Sequence, residues 1–230
     1  MMRVPFPSLA SVRALHCLNA ALPSSVRLSG RETDKRPLQN ENANSPIVLI
    51  TQNLTENTHY IASTGIGGRH ADPKVLVQMD SYAIGGLQPG QVKYLYAPTH
   101  LNPTYEYGVT FERGSYVEYG DRRHVFISGT ASINNRGEVV HVGDVRQQTL
   151  RMWENVETLL AEAGCSYDDV AHMVVYLRDT ADYAVVKQLY DERFPKKPKV
   201  FLLARVCRPG WLVEMECMAI KDTESSYPNF

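Results

Sequence analysis

Apolar and polar positions follow clear periods only in the second half of the chain. Residues 109–118 and 124–133 are rich in β-branched and aromatic side chains, and a polar segment with Gly120 joins them, which predicts a β-hairpin. Residues 170–177 are apolar at nearly every position, as is typical of a strand that is covered on both faces. These three segments predict strands of one sheet.

Two stretches have the 3.6-residue period of helices. Asp144 and Gln147 are spaced as in an N-terminal capping box, and Gly164 is placed to end the helix that follows. A second amphipathic helix is predicted over residues 182–194, where Pro195 prevents its continuation. The apolar face of the first helix consists of Leu150, Trp153, Val156, Leu159, Leu160 and Ala163.

The last part of the chain predicts two more strands, residues 199–206 and 211–220, around a turn at 208–210. The order ββ-α-β-α-ββ predicts an α+β fold with one mixed sheet and two helices on one face. If the last two strands form a hairpin, their period of two places four charged residues on the face opposite the helices. A monomer would leave that face to solvent, where its charges would have no special role. These residues are Lys199, Arg205, Glu214 and Glu216.

The first part of the chain differs in composition. Residues 1–31 contain four arginines and no acidic residue, which is compatible with an organellar transit peptide, a disordered extension or sequence read from an upstream start. We therefore expect residues 1–46 to be a poorly ordered extension or targeting segment. Residues 47–108 are expected to pack on the main domain as an extended segment, and residues 109–222 to form that domain.

Composition narrows the class of protein. The chain of 230 residues is 43% hydrophobic and 21% charged, which is ordinary for a globular protein. Its 24 Lys and Arg residues balance 25 Asp and Glu residues, so nucleic-acid binding is not expected. No apolar run is long enough for a membrane span. Four cysteines without a CxxC pair favour a reducing compartment, so we expect a cytoplasmic protein, with organellar import left open.

Several motifs of the second half resemble the RidA/YjgF superfamily, also called endoribonuclease L-PSP-like. They are residues 124–130, 164–170 and 212–219, which lie in order over about 110 residues together with related short segments. The resemblance implies a chorismate-mutase-like α+β fold, commonly a homotrimer with clefts between its subunits. It also implies hydrolysis of small imine or enamine acids, a deaminase activity that needs no cofactor. No metal is expected, because the seven histidines lack ligand spacing.

The resemblance also suggests site residues for a small anionic metabolite. Glu214 matches the glutamate that positions water, and is the catalytic candidate. Lys199 stands where the deaminase branch has a carboxylate-binding arginine, and Phe111 stands where it has a tyrosine, so two of three side chains differ. Gly129 would let the backbone approach a ligand closely. The candidate substrate-binding residues are Lys199, Arg205, Arg113, Phe111, Gly129, Thr130 and Tyr107.

A second resemblance begins further upstream. Residues 60–68, 111–113, 128–133 and 206–208 are similar to the chorismatase branch of the superfamily. This implies cleavage of the enolpyruvyl ether of chorismate, with Glu214 as general acid and the candidate cations on the two carboxylates. Burial would raise the pKa of Glu214 and nearby cations would lower it, so its role as acid or base stays open. A non-catalytic ligand-binding or regulatory module is the third class of function.

Overall fold

The computed structural model describes residues 59–68, 71–72, 74–75, 77–107 and 109–229. The extension predicted over residues 1–46 lies outside these ranges, so its nature stays a prediction. The same holds for the division of the chain into an extension, an extended segment and a domain. Within these ranges, the first strand begins at Val92.

The described chain forms one six-stranded mixed sheet with two helices, so the predicted α+β class is confirmed. The strand order is β1-β2-β3-β6-β4-β5, and all neighbouring pairs are antiparallel except β4 and β5. The elements are β1 (Val92–Leu95), β2 (Gly114–Glu118), β3 (Arg122–Ala131), α1 (Val145–Glu162), β4 (Val170–Leu177), α2 (Tyr183–Arg193), β5 (Lys199–Leu203) and β6 (Val213–Asp222).

Helix α1 begins and ends where its sequence signals predict. The Asp144 carboxylate accepts a hydrogen bond from the Gln147 backbone N–H at 3.0 Å, which satisfies one of the free amides of the first turn. Gly164 has a φ of +68°, a conformation that glycine adopts without strain after a helix. The predicted apolar face is buried against the sheet from Trp153 to Ala163, and it forms much of the core.

Strand β5 does not pair as predicted. It lies parallel to β4, with Val175 opposite Phe201, while β6 lies between β3 and β4. The predicted hairpin of the last two strands is therefore wrong. Helix α2 provides the crossover that a parallel pair requires, and the long connection from β5 to β6 lets β6 insert elsewhere in the sheet.

The corrected pairing changes which residues share a face. Glu214 lies opposite Tyr176 and Glu216 lies opposite Val174, so both glutamates are on the face away from the helices, as predicted. We call this the open face. Lys199 lies on the helix face instead, where its ammonium donates a hydrogen bond to the Phe194 carbonyl at 2.9 Å. The prediction that Lys199 shares the face of Glu214 is wrong.

Residues 60–67 cross the open face as an extended segment that we call the strap. At one end, the Glu112 backbone N–H donates to the Ile61 carbonyl at 3.0 Å. At the other end, Gly67 and Arg205 exchange two backbone hydrogen bonds, of 2.6 and 3.1 Å. The strap thus joins the chain just before β2 to the chain just after β5. No helix within the described ranges has the length and apolar character to cross a bilayer.

Candidate functional site

A β-bulge in β3 lies under the centre of the strap. The pairing of β3 with β6 is interrupted between Ile127 and Thr130, so Gly129 does not follow the regular ladder. Its backbone N–H donates instead to the Thr64 hydroxyl at 2.8 Å. The Ser63 backbone N–H donates to the Ser128 hydroxyl at 2.8 Å. The bulge therefore supplies the polar groups that anchor the strap.

Gly129 leaves space for the carboxyl group of Glu214. A Cβ atom at position 129 would lie 2.1 Å from Glu214 Oε1 and 2.8 Å from Thr64 Cγ2, so any larger residue would collide with both. The close approach expected at Gly129 is thus made by the carboxyl group. Glu214 is only 3% exposed, and its Oε2 atom has no hydrogen-bond partner in the part of the chain that the structure describes.

Burial determines the protonation of Glu214. Loss of hydration raises the pKa of this carboxyl group from 4.5 to about 8, and the negative charge of Glu216 contributes in the same direction. Arg113 and Arg178 lower the pKa, but they do not compensate for the burial. At neutral pH Glu214 is therefore mainly a protonated acid that can donate its proton.

A cavity of about 840 Å³ opens beside this group, between the strap, the segment around residues 80–87 and the open face. This volume lies within the range of small-molecule sites. Ser128 and Thr64, the neighbours of Gly129, form part of its wall. Glu216, Met218 and Phe126 line it from the sheet. Glu214 lies directly behind this wall rather than in it.

Glu216 and Tyr176 form a hydrogen-bonded pair on the open face. The Tyr176 hydroxyl donates to Glu216 Oε1 at 3.0 Å. Burial raises the pKa of Tyr176, and the negative charge of Glu216 raises it further. Glu214 and Glu216 are two residues apart on one strand, which corresponds to about 7 Å along the backbone. On the sheet side, the cavity therefore has the carboxyl group of Glu216 in its wall and that of Glu214 just behind it.

The three predicted cations are not brought together at the cavity. The Arg113 guanidinium is buried and donates to the carbonyl and side-chain oxygens of Asn102, at 2.9 and 3.0 Å. Arg205 is exposed and holds the end of the strap through its backbone. Lys199 is on the helix face. The charge of Arg113 reaches Glu214, but its donors are directed to Asn102.

The other candidates have structural surroundings. Thr130 is buried within the bulge, where its hydroxyl donates to the Ser128 carbonyl at 2.9 Å. Phe111 is half-buried under the Arg113 guanidinium, 5.5 Å from the centre of its ring. Neither residue lines the cavity. Tyr107 lies in a short 3₁₀ helix, and its side chain is outside what the structure describes.

Sequence reasoning did not select the strap hydroxyls, Tyr176 or His172 as site residues. Ser63 and Thr64 lie in a segment without periodicity, although the 60–68 motif did mark it as unusual. Tyr176 could have been found from the correct register, which places it opposite Glu214. In the described residues, no cluster of His, Cys, Asp and Glu side chains is suited to bind a metal ion.

Comparison with known proteins identifies the class to which this fold and site correspond. Residues 111–221 match the family model described as Endoribonuclease L-PSP. The chain is 37% identical over 101 residues to a RutC family protein of Pyrococcus abyssi, covering 43% of this chain and 79% of the relative. It is 35% identical over 97 residues to the 3-aminoacrylate deaminase RutC of Acinetobacter baylyi, covering 41% and 77%.

The chain therefore belongs to the endoribonuclease L-PSP family, that is, to the RidA/YjgF superfamily, as its motifs predicted. It is also similar to a crystal structure of a chorismatase, with 25% identity and a TM-score of 0.51. This similarity covers 59% of the present chain and 44% of the chorismatase. The similarity to the chorismatase branch predicted from sequence is thus confirmed over part of that enzyme.

Proposed function

We propose that this protein is a cofactor-independent hydrolase that deaminates a small enamine or imine acid. The observation that carries the proposal is the protonated, buried carboxyl group of Glu214 directly behind a cavity of suitable size. The similarity to a protein named 3-aminoacrylate deaminase, whose substrate is an enamine acid, supports the same class of reaction.

The first step of the reaction is protonation of the substrate, and water reacts only in the second step. Glu214 donates its proton to the nucleophilic carbon of the enamine, which becomes an iminium ion. Water then adds to the iminium carbon and ammonia leaves, so one water is consumed and one oxo acid and one ammonia are formed. The proton that water releases returns to Glu214. Because Glu214 lies directly behind Ser128 and Thr64, the substrate has to reach its carboxyl group between these two residues while the strap still excludes bulk water.

Cleavage of chorismate is the second candidate, favoured by the structural similarity to a chorismatase. In that reaction Glu214 would protonate the vinyl carbon of the enolpyruvyl ether, which is chemically close to protonating an enamine. The cavity itself does not favour this substrate. Chorismate would place two carboxylates, and an enamine acid only one, against a wall whose described lining residues include no Lys or Arg.

A single product distinguishes these functions. The protein is incubated with 2-aminoacrylate, generated from serine by a dehydratase, and separately with chorismate. We expect pyruvate to form from 2-aminoacrylate faster than in the absence of the protein, and no pyruvate from chorismate. Release of pyruvate from chorismate alone would assign the second function. No acceleration with either compound would favour a non-catalytic binding role.

We also propose that the protein is a homotrimer. Val200 and Leu202 of β5 lie on the open face, opposite Val174 and Tyr176, and are 46% and 41% exposed. Adjacent exposed apolar side chains on an edge strand favour contact with another chain. The assembly known for this superfamily supports a contact between open faces.

Sedimentation equilibrium should give three times the chain mass of 25.9 kDa at micromolar concentration. Leu202→Lys should shift the mass towards one chain, because it places a charge in the contact. Val142→Lys, at an exposed apolar residue outside the sheet, serves as the control and should leave the mass unchanged. A wild-type mass near 26 kDa would contradict the proposal.

A further inference from the structure

The described ionisable groups in the cavity wall are mainly of one sign. The carboxylates of Asp80 and Glu216 line the cavity. The other ionisable side chains in its wall are those of His172, Cys217 and three tyrosines, Tyr60, Tyr82 and Tyr94. No Lys or Arg is among the described lining residues. A site built to hold an acidic side chain would be expected to present at least one cation.

Three basic residues that could have approached the cavity, Arg178, Arg113 and Lys199, are directed elsewhere. The Arg178 guanidinium donates to the carbonyls of Trp211 and Val206, at 2.6 and 2.7 Å. Arg113 donates to Asn102, and Lys199 donates to Phe194 on the helix face. These contacts keep positive charge out of the cavity wall, so the wall remains acidic.

The negative charge of Glu216 affects its surroundings. Burial is the main cause of the raised pKa of Glu214, Tyr176 and Cys217, the last to about 12, and the charge of Glu216 raises all three further. No Lys, Arg or His of the described chain forms an ion pair with Glu216, whose one hydrogen-bond donor is the neutral Tyr176 hydroxyl. A positively charged ligand would supply the missing counter-charge.

Aromatic rings form another part of the wall. Tyr82 and Phe126 lie with their ring centres 5.7 Å apart, and both line the cavity. Tyr94 also lines it, and is stacked on His59 at 4.2 Å. Organic cations bind well on the faces of aromatic rings, especially where a carboxylate is close. The acidic and the aromatic groups of the wall therefore both favour an organic cation as the ligand.

We propose that the cavity selects a substrate whose side chain is positively charged or neutral, with Glu216 as the residue that discriminates against acidic side chains. For catalysis this rests on the proposed function, since it names the class of imine acid that is deaminated. Glu216 acts by binding the substrate side chain, whereas the proton comes from Glu214.

A binding experiment tests the selectivity without catalysis. Benzamidine, benzamide and benzoate have nearly the same size and shape but charges of +1, 0 and −1. Titration calorimetry should show benzamidine binding about tenfold more tightly than benzamide, and benzoate binding most weakly. Glu216→Gln should abolish the preference for benzamidine over benzamide, while Glu224→Gln, an exposed change of the same charge outside the cavity, should keep it. Benzoate binding as tightly as benzamidine, or no binding of benzamidine, would overturn the proposal.

A turnover experiment separates this inference from the proposed function. Imine acids are generated from arginine, methionine and glutamate by amino-acid oxidases, and their loss is compared with the uncatalysed rate. We expect kcat/KM to be about tenfold or more higher for the arginine-derived than for the glutamate-derived imine. Glu216→Gln should reduce this ratio, mainly through KM. Preference for the glutamate-derived imine would overturn the selectivity but leave hydrolysis in place. Hydrolysis of none of the three would overturn the proposed function, and benzamidine binding would then decide the inference.

Discussion

Glu214→Gln is expected to lower kcat for enamine hydrolysis by about 10²–10⁴-fold, the usual contribution of a general acid. Glutamine has the same shape and fits the space beside Gly129, but it has no proton to donate. The wild-type rate should be nearly constant at neutral pH and fall as pH rises through about 8, because only the protonated carboxyl group is active. The residual rate of the variant should lack this decline.

The matched control is Glu224→Gln, which makes the same chemical change on the surface and should retain the wild-type rate and pH profile. A wild-type rate that instead increases as pH rises through 8 would show that Glu214 acts as a base. Equal activity of the wild type and Glu214→Gln would eliminate the assignment altogether.

The pH dependence of the Tm tests the raised pKa of Glu214 without measuring activity, and it also shows that Glu214→Gln is folded. The pKa of Glu214 is higher in the folded protein than in the unfolded chain, where it is near 4.5. Between pH 4.5 and 8 the folded state therefore holds a proton that the unfolded state has released, and stability falls as pH rises through this interval. The cost is on the order of 3 kcal/mol at pH 7. Glu214→Gln should remove it, so its Tm should match the wild type near pH 4 and exceed it above pH 7.

Gly129→Ala is expected to destabilise the protein by about 1–3 kcal/mol, a typical cost of overpacking, and to lower the Tm by roughly 3–10 °C. The added Cβ would lie 2.1 Å from Glu214 Oε1 and 2.8 Å from Thr64 Cγ2. The buried carboxyl group and the strap cannot both remain in place, so activity should fall as well. Thermal unfolding and enamine hydrolysis measure the two effects.

Gly210→Ala is a suitable comparison because its nearest neighbour, Val139 Cγ1, would be at an ordinary contact distance of 3.4 Å. We expect it to change the Tm by less than about 2 °C. If Gly129→Ala were as stable and active as Gly210→Ala, the tight packing of Glu214 against the bulge would be wrong.

Sequence patterns predicted those elements whose signals are local. Helix α1 has a cap at Asp144, an apolar face and a glycine stop, and each of them depends only on residues of one continuous segment. The alternation of β6 likewise placed Glu214 and Glu216 on the open face, because one apolar face of that strand must meet the core. Such features can be predicted without knowing which strands are paired in the sheet.

The face of Lys199 could not be predicted in the same way. Both faces of β5 have apolar residues, so its alternation does not say which face meets the helices. The prediction depended on a hairpin with β6, and the actual partner is β4, which lies before α2 in the chain. Strand partners are tertiary information, and one incorrect partner reversed the face of Lys199.

The centre of the site depends on contacts that are remote in sequence. Thr64 meets Gly129 across 65 residues, and the strap that carries it has neither a helical nor a strand period. Its sequence identified an unusual motif, but the motif alone did not show that a hydroxyl at position 64 accepts the Gly129 amide. The acidic cavity wall could not be predicted either, because it combines Asp80 with Glu216, which are remote in sequence.

The attachment of the strap has a consequence for folding. The last residues of the strap contact the chain near Arg205. The Gly65 carbonyl oxygen lies 3.0 Å from the Cys207 Sγ atom, although the two residues are 142 apart in sequence. We expect contacts of such high sequence separation to form late, because closing a long loop costs entropy that only an assembled sheet can offset. We therefore expect Glu214 to be hydrated and ionised at neutral pH until the strap docks, so that docking takes up a proton and creates the acid on which the proposed chemistry depends.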